Sequence, residues 1–198
     1  RDMGPNAPMT PGRMNTTVPY SHNIDETKRP VIVKRPNCGM PGSPIYNASE
    51  AMIAKFVDAG LLGESIPLEQ MDSRLSILGW KPVLKDRAKE FSVENIRLTV
   101  GGHQITNIMD WGQVPPVTRR KAALQVLSTA LWDPDGEATI MSEADLKNGY
   151  LQGNRMNPED ARVAMLNPDG KSARFLLGPI YGYPNAGIHF DAALCQSL

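Results

Sequence analysis

The chain has 198 residues, with 21 basic and 21 acidic side chains, 41% hydrophobic and 6% aromatic residues. A balanced charge excludes a global polyanion binder, though a local basic patch remains open to one. No apolar run approaches the roughly 18–20 residues that a membrane helix needs.

The chain starts at Arg1 rather than Met, which reads as a removed leader or as the interior of a longer protein. Residues 1–45 carry eight of the 17 prolines: Pro5, Pro8, Pro11, Pro19, Pro30, Pro36, Pro41 and Pro44. Proline removes a backbone donor and blocks helix interiors, so this stretch reads as an extended arm without a helix. Its one apolar burst, Val31-Ile32-Val33, is flanked by Lys28, Arg29, Lys34 and Arg35. Such a segment buries too little apolar surface to fold alone. We therefore expect it to lie across a neighbouring subunit, with Val31, Ile32 and Val33 adding a strand to a partner's sheet and Lys34 and Arg35 at the rim.

Residues 46–198 read as an α+β domain, with helices near its start and β-hairpins after them. Asn47 and Glu50 have capping-box spacing, and Met52, Ile53, Phe56 and Val57 recur at helical spacing before Gly60. These predict a helix over 48–59. Pro67, the stripe Leu68, Met71, Leu75, Leu78 and then Gly79 predict a second helix over 66–78. The period then changes to two. Ile96, Leu98 and Val100 alternate with polar residues, Gly101-Gly102 follows, and His103–Ile108 completes a predicted hairpin. Thr118 and the apolar stripe of 122–131 favour a helix over a strand.

Two similar turns follow, Asp133-Pro134-Asp135-Gly136 and Asn167-Pro168-Asp169-Gly170. In each, Pro presets one dihedral, Asp folds back on the backbone and Gly takes a positive φ. Strands are predicted after them, at Glu137–Met141 and Ser172–Leu177. Asn157-Pro158-Glu159-Asp160 reads as the start of a short helix. Gly178–Gly187 reads as loop.

The run from Asp133 resembles an EF-hand loop, with Asp133, Asp135 and Glu137 at positions one, three and five, ahead of a helical stretch at Glu143–Tyr150. Ala138 replaces the turn glycine and Ala144 the bidentate glutamate. The resemblance implies a calcium-responsive interaction module only if the cation tolerates both losses.

Cys38, His189 and Asp191 stand in the chain order of some cysteine hydrolases. A secreted or envelope hydrolase using Cys38 and His189 is the alternative to a structural role. Cys38 and Cys195 fit either one long-range disulfide or two thiols. His22, His103 and His189 lack metal-ligand spacing. Asn15 and Asn47 each open a glycosylation triplet. Two helices and a hairpin, with Arg119-Arg120-Lys121 nearby, follow winged-helix order. The second helix carries only Arg74 against Glu69 and Asp72, so nucleic acid is not the expected partner. No nucleotide-binding or nucleophile-elbow motif is present, and nothing asks for a cofactor. The expectation is a non-enzymatic assembly subunit of a virion or an extracytoplasmic envelope or secretion machine.

Overall fold

Helix α1, Pro44–Asp58, opens the regular structure. Its N-cap is Ser43, whose hydroxyl oxygen accepts from the Tyr46 amide at 3.3 Å. The helix therefore begins four residues before the expected 48. Asn47 lies within it, so it is not the cap. Pro44 sits at the first helical position, where its missing N–H costs nothing. A helix does start among the prolines for that reason. Ala48, Ser49, Ile53 and Phe56 form its buried face. Gly60 at φ 67° turns the chain out of the helix.

The computed structural model describes residues 19–114, 151 and 153–197, with side chains as far as 192. The predicted helix at 118–131, the Asp133–Gly136 turn, the strand at Glu137–Met141, the helical stretch at Glu143–Tyr150, and Asn15 all lie outside the described residues. So do Arg119-Arg120-Lys121.

The chain is mixed α+β. Strand β1, Leu62–Pro67, follows α1, and then β2, Ser76–Leu78, and β3, Trp80–Leu84. The second helix expected over 66–78 is thus replaced by strand, a short 3-10 turn at Leu68–Gln70, and strand again. Its helical stripe is divided between two sheet faces. Leu78 joins the main core, while Leu68 and Met71 pack on the opposite face with Ile77. Asp72 stabilises the intervening turn by accepting from the Arg74 amide at 2.9 Å.

Strand β4, Ile96–Val100, shows the expected alternation, but its partner is the preceding β3. The hairpin predicted through Gly101-Gly102 does not form. Neither glycine takes a positive φ, which two-residue hairpin turns require. The chain continues instead as 3-10 turns at Gly102–Gln104 and Thr106–Ile108.

Strands β5, Val163–Leu166, and β6, Ser172–Leu176, form the hairpin predicted around Asn167–Gly170. Gly170 has φ 67°. Asp169 accepts from the Lys171 amide at 2.9 Å and from the Ser172 hydroxyl at 2.9 Å. A 3-10 turn occupies Pro158–Asp160. Helix α2, Ala186–Ser197, follows the loop from Gly178.

The larger sheet runs β1-β6-β5-β2 and the smaller pairs β3 with β4. β2 and β5 are parallel, the other pairs antiparallel. All four residues of β5 are buried. Val163 and Met165 enter the main core, and Ala164 and Leu166 the smaller cluster behind the sheet. Covering both faces selects a continuous apolar strand. Among the described residues, no helix is long and apolar enough to cross a membrane.

Candidate interaction surface

Residues 19–43 precede α1 and form a strap over this framework. It is tied down at three places. At the first, Tyr20, His22 and Asn23 are buried against the start of α2. Tyr183 donates to the His22 carbonyl, and Asn185 donates to the Ser21 carbonyl at 2.9 Å and to Asn23 Oδ1. His189 Nε2 lies 3.1 Å from Asn23 Oδ1. The Arg162 amide donates to His22 Nδ1 at 3.1 Å, which places the proton of a neutral ring on Nε2. The Tyr20 ring meets those of His22 and His189 edge-on, at 5.6 and 5.2 Å between centroids. Burial pushes His22 down to about 3, and the charge of Arg162 and the neighbouring His189 add to this against the pull of the Leu176 carbonyl. Burial also lowers His189.

The second tie joins Ile24 to Met109, with the Asp110 amide donating to the Asn23 carbonyl at 2.7 Å and the Asp25 amide to the Ile108 carbonyl at 2.9 Å. The third lies at Val31–Val33. Ile77 of β2 donates its amide to the Val31 carbonyl and accepts from the Val33 amide, both at 2.8 Å. Val31 packs against the main core and Val33 against the smaller cluster. The sheet edge on which Val31, Ile32 and Val33 lie is therefore that of their own chain.

The Ile32 side chain is 54% exposed. In a parallel bridge, the N–H and C=O of the central residue point away from the paired strand. Those of Ile32 have no partner among the described residues. Arg29, Lys34 and Arg35 are exposed and carry no ion pair among the described residues. Lys28 differs, since it lies 3.7 Å from Asp25 and donates to the Asn107 carbonyl. The edge position was not legible in the sequence, because Val31–Val33 finds Ile77 across more than 40 residues. The exposed cations were.

The hydrolase geometry does not assemble. Cys38 is fully buried beside Ser49 of α1, and burial raises its thiol pKa, so it stays protonated and inert. His189 directs Nε2 at Asn23, and its Nδ1 has no hydrogen-bond partner among the described residues. Neither ring nitrogen reaches Cys38. Asp191 lies two residues beyond His189 on α2, a spacing that puts it on a different helix face. Cys38 is a free thiol, and the Cys195 side chain is outside the described part.

Asp133, Asp135 and Glu137 also lie outside it. The described residues hold no cluster of metal-ligating side chains. A groove of about 370 Å3 runs between the strap and the turn before β2. Its cations are already answered, Arg162 by Glu26 at 2.5 Å and Arg74 by Asp72 at 2.7 Å. His103 is exposed, and Asn47 stands exposed on α1. The chain matches no family model, and no curated protein matches it.

Proposed function

We propose that this chain is a non-enzymatic structural subunit of a large protein assembly, in a virion or in a cell-envelope or secretion machine, and that Val31–Arg35 bind a neighbouring subunit. The observation that carries the reading is Ile32, a large apolar side chain displayed at a sheet edge beside cations that have no ion pair among the described residues. An exposed apolar residue with open backbone groups at a sheet edge can seat a strand of another chain. Val31 and Val33 then serve as the partly buried anchors of the contact strip, with Ile32, Lys34 and Arg35 as its exposed part.

Deleting the arm would be a poor test, since Tyr20, His22 and Cys38 belong to the core. Ile32→Asp changes an exposed side chain and spares these groups. The native mass of the wild-type and variant chains, measured by sedimentation, checks the reading. A large wild-type particle that Ile32→Asp disperses into folded monomers supports it. A wild-type chain that is monomeric in its native setting overturns it.

A further inference from the structure

Resting on that subunit reading, we infer that the outer side of Val31–Val33 accepts an acidic, extended segment of another protein subunit as an added strand. The sequence suggested a donor strand that completes a partner's sheet. The geometry reverses the roles. Val31–Val33 is already seated on β2 through the Val31 carbonyl and the Val33 amide. What remains open is the other side, where Ile32 presents an N–H and a C=O without partners among the described residues, and an exposed side chain.

Two features select the occupant. Pro30 and Pro36 bracket the run, and neither can donate to an added strand, so the pairing is short and does not propagate. A short pairing needs additional attraction, and Arg29, Lys34 and Arg35 supply positive charge without ion pairs among the described residues. Acidic side chains flanking the incoming strand answer it. A second copy of this chain is a worse fit. Antiparallel pairing of two copies about Ile32 sets Arg29 opposite Arg35, and like charges directly across a ladder are destabilising.

The test titrates the full-length chain with short capped peptides while following the Ile32 amide by NMR. One peptide alternates valine and glutamate, the second valine and lysine, and the third is the glutamate peptide with methylated backbone nitrogens. The expected result is binding of the first alone, with a shift of the Ile32 amide, and weakening by about tenfold or more in the Lys34→Glu/Arg35→Glu variant. Equal binding of the lysine or methylated peptide, or no binding at all, overturns the inference. An Ile32 amide protected from hydrogen exchange before any peptide is added also overturns it, because the chain then fills its own edge.

The subunit reading fails separately. If the peptides do not bind while Ile32→Asp still disperses a large particle, the strand-addition mode falls and the subunit role stands. If the glutamate peptide binds a chain that is monomeric in its native setting, the reverse holds.

Discussion

The hydroxyl of Tyr183 donates to the carbonyl of His22 at 2.9 Å, a buried bond between residues 161 positions apart. It fastens the strap to the approach of α2. Nearby, Asn185 and His189 converge on Asn23. The two ends of the described chain are therefore held by polar contacts inside an otherwise apolar core.

Tyr183→Phe keeps the ring and removes only the donor. The His22 carbonyl is left buried without it, and the expected loss is about 1–3 kcal/mol. Urea denaturation checks this. An unchanged midpoint would mean that the bond adds nothing to the strap's attachment.

Acid should loosen the same attachment. His22 and His189 are held below the ordinary histidine value of 6.5, His22 at about 3, chiefly by burial. The unfolded chain therefore takes up protons first. The stabilisation is fully present above about pH 6.5 and is lost as pH falls toward the folded values. Facing these rings are Tyr20, Tyr183 and the Arg162 charge, with Asp191 buried on the same helix. We expect His22 to account for a loss of about 2 kcal/mol between about pH 6.5 and 4.5, with His189 acting in the same direction, measured as urea midpoints across that window. His22→Gln should flatten the slope. Asp72, held to about 2 by Arg74, acts only at lower pH, so it does not confuse the window.

The adjacent glycines of the 101–102 pair should respond differently to alanine. A Cβ on Gly102 would overlap the Gly182 carbonyl, whereas one on Gly101 would meet the side-chain end of Gln104. Backbone cannot step aside as a flexible side chain can. Gly102→Ala should cost about 1–3 kcal/mol, and Gly101→Ala well under that. Thermal melts of both variants settle the order. Equal costs would contradict the close approach.

The helix cap supplies a second paired comparison. Ser43→Ala removes the acceptor for the Tyr46 amide and should cost about 0.5–2 kcal/mol. Asn47→Ala, on the exposed side of α1, should leave stability within about 0.5 kcal/mol of wild type. The reverse ranking in denaturant melts would restore Asn47 as the cap.

Features fixed by near neighbours were legible in the sequence. The Asn167–Gly170 turn needs only its own four residues, and α1 shows its apolar stripe within a few turns. Elements fixed across the chain were not. Leu68, Met71, Leu75 and Leu78 have helical spacing, yet Leu68 and Met71 pack on one face and Leu78 on the other face of a sheet whose centre, β5, is supplied some 90 residues later. Val163-Ala164-Met165-Leu166 is too short an apolar run to declare strand or helix by period. Gly101-Gly102 looked like a turn because glycine serves both turns and close approach, and only the presence of Gly182 distinguishes them. At the candidate surface, the cations around Val31–Val33 were plain, while the strand they border belongs to this chain and depends on Ile77.

The seat of residues 20–23 has a consequence for synthesis. Tyr183, Asn185 and His189, which hold that seat, leave the ribosome long after the strap itself has emerged. Residues 20–23 must therefore wait for these partners until α2 has emerged. Contacts so distant in sequence form slowly, and incomplete chains expose surface that invites wrong associations in the interval. Seating of residues 20–23 is therefore a late step in the folding of this stretch, whereas Val31–Val33 can dock on Ile77 as soon as β2 has emerged.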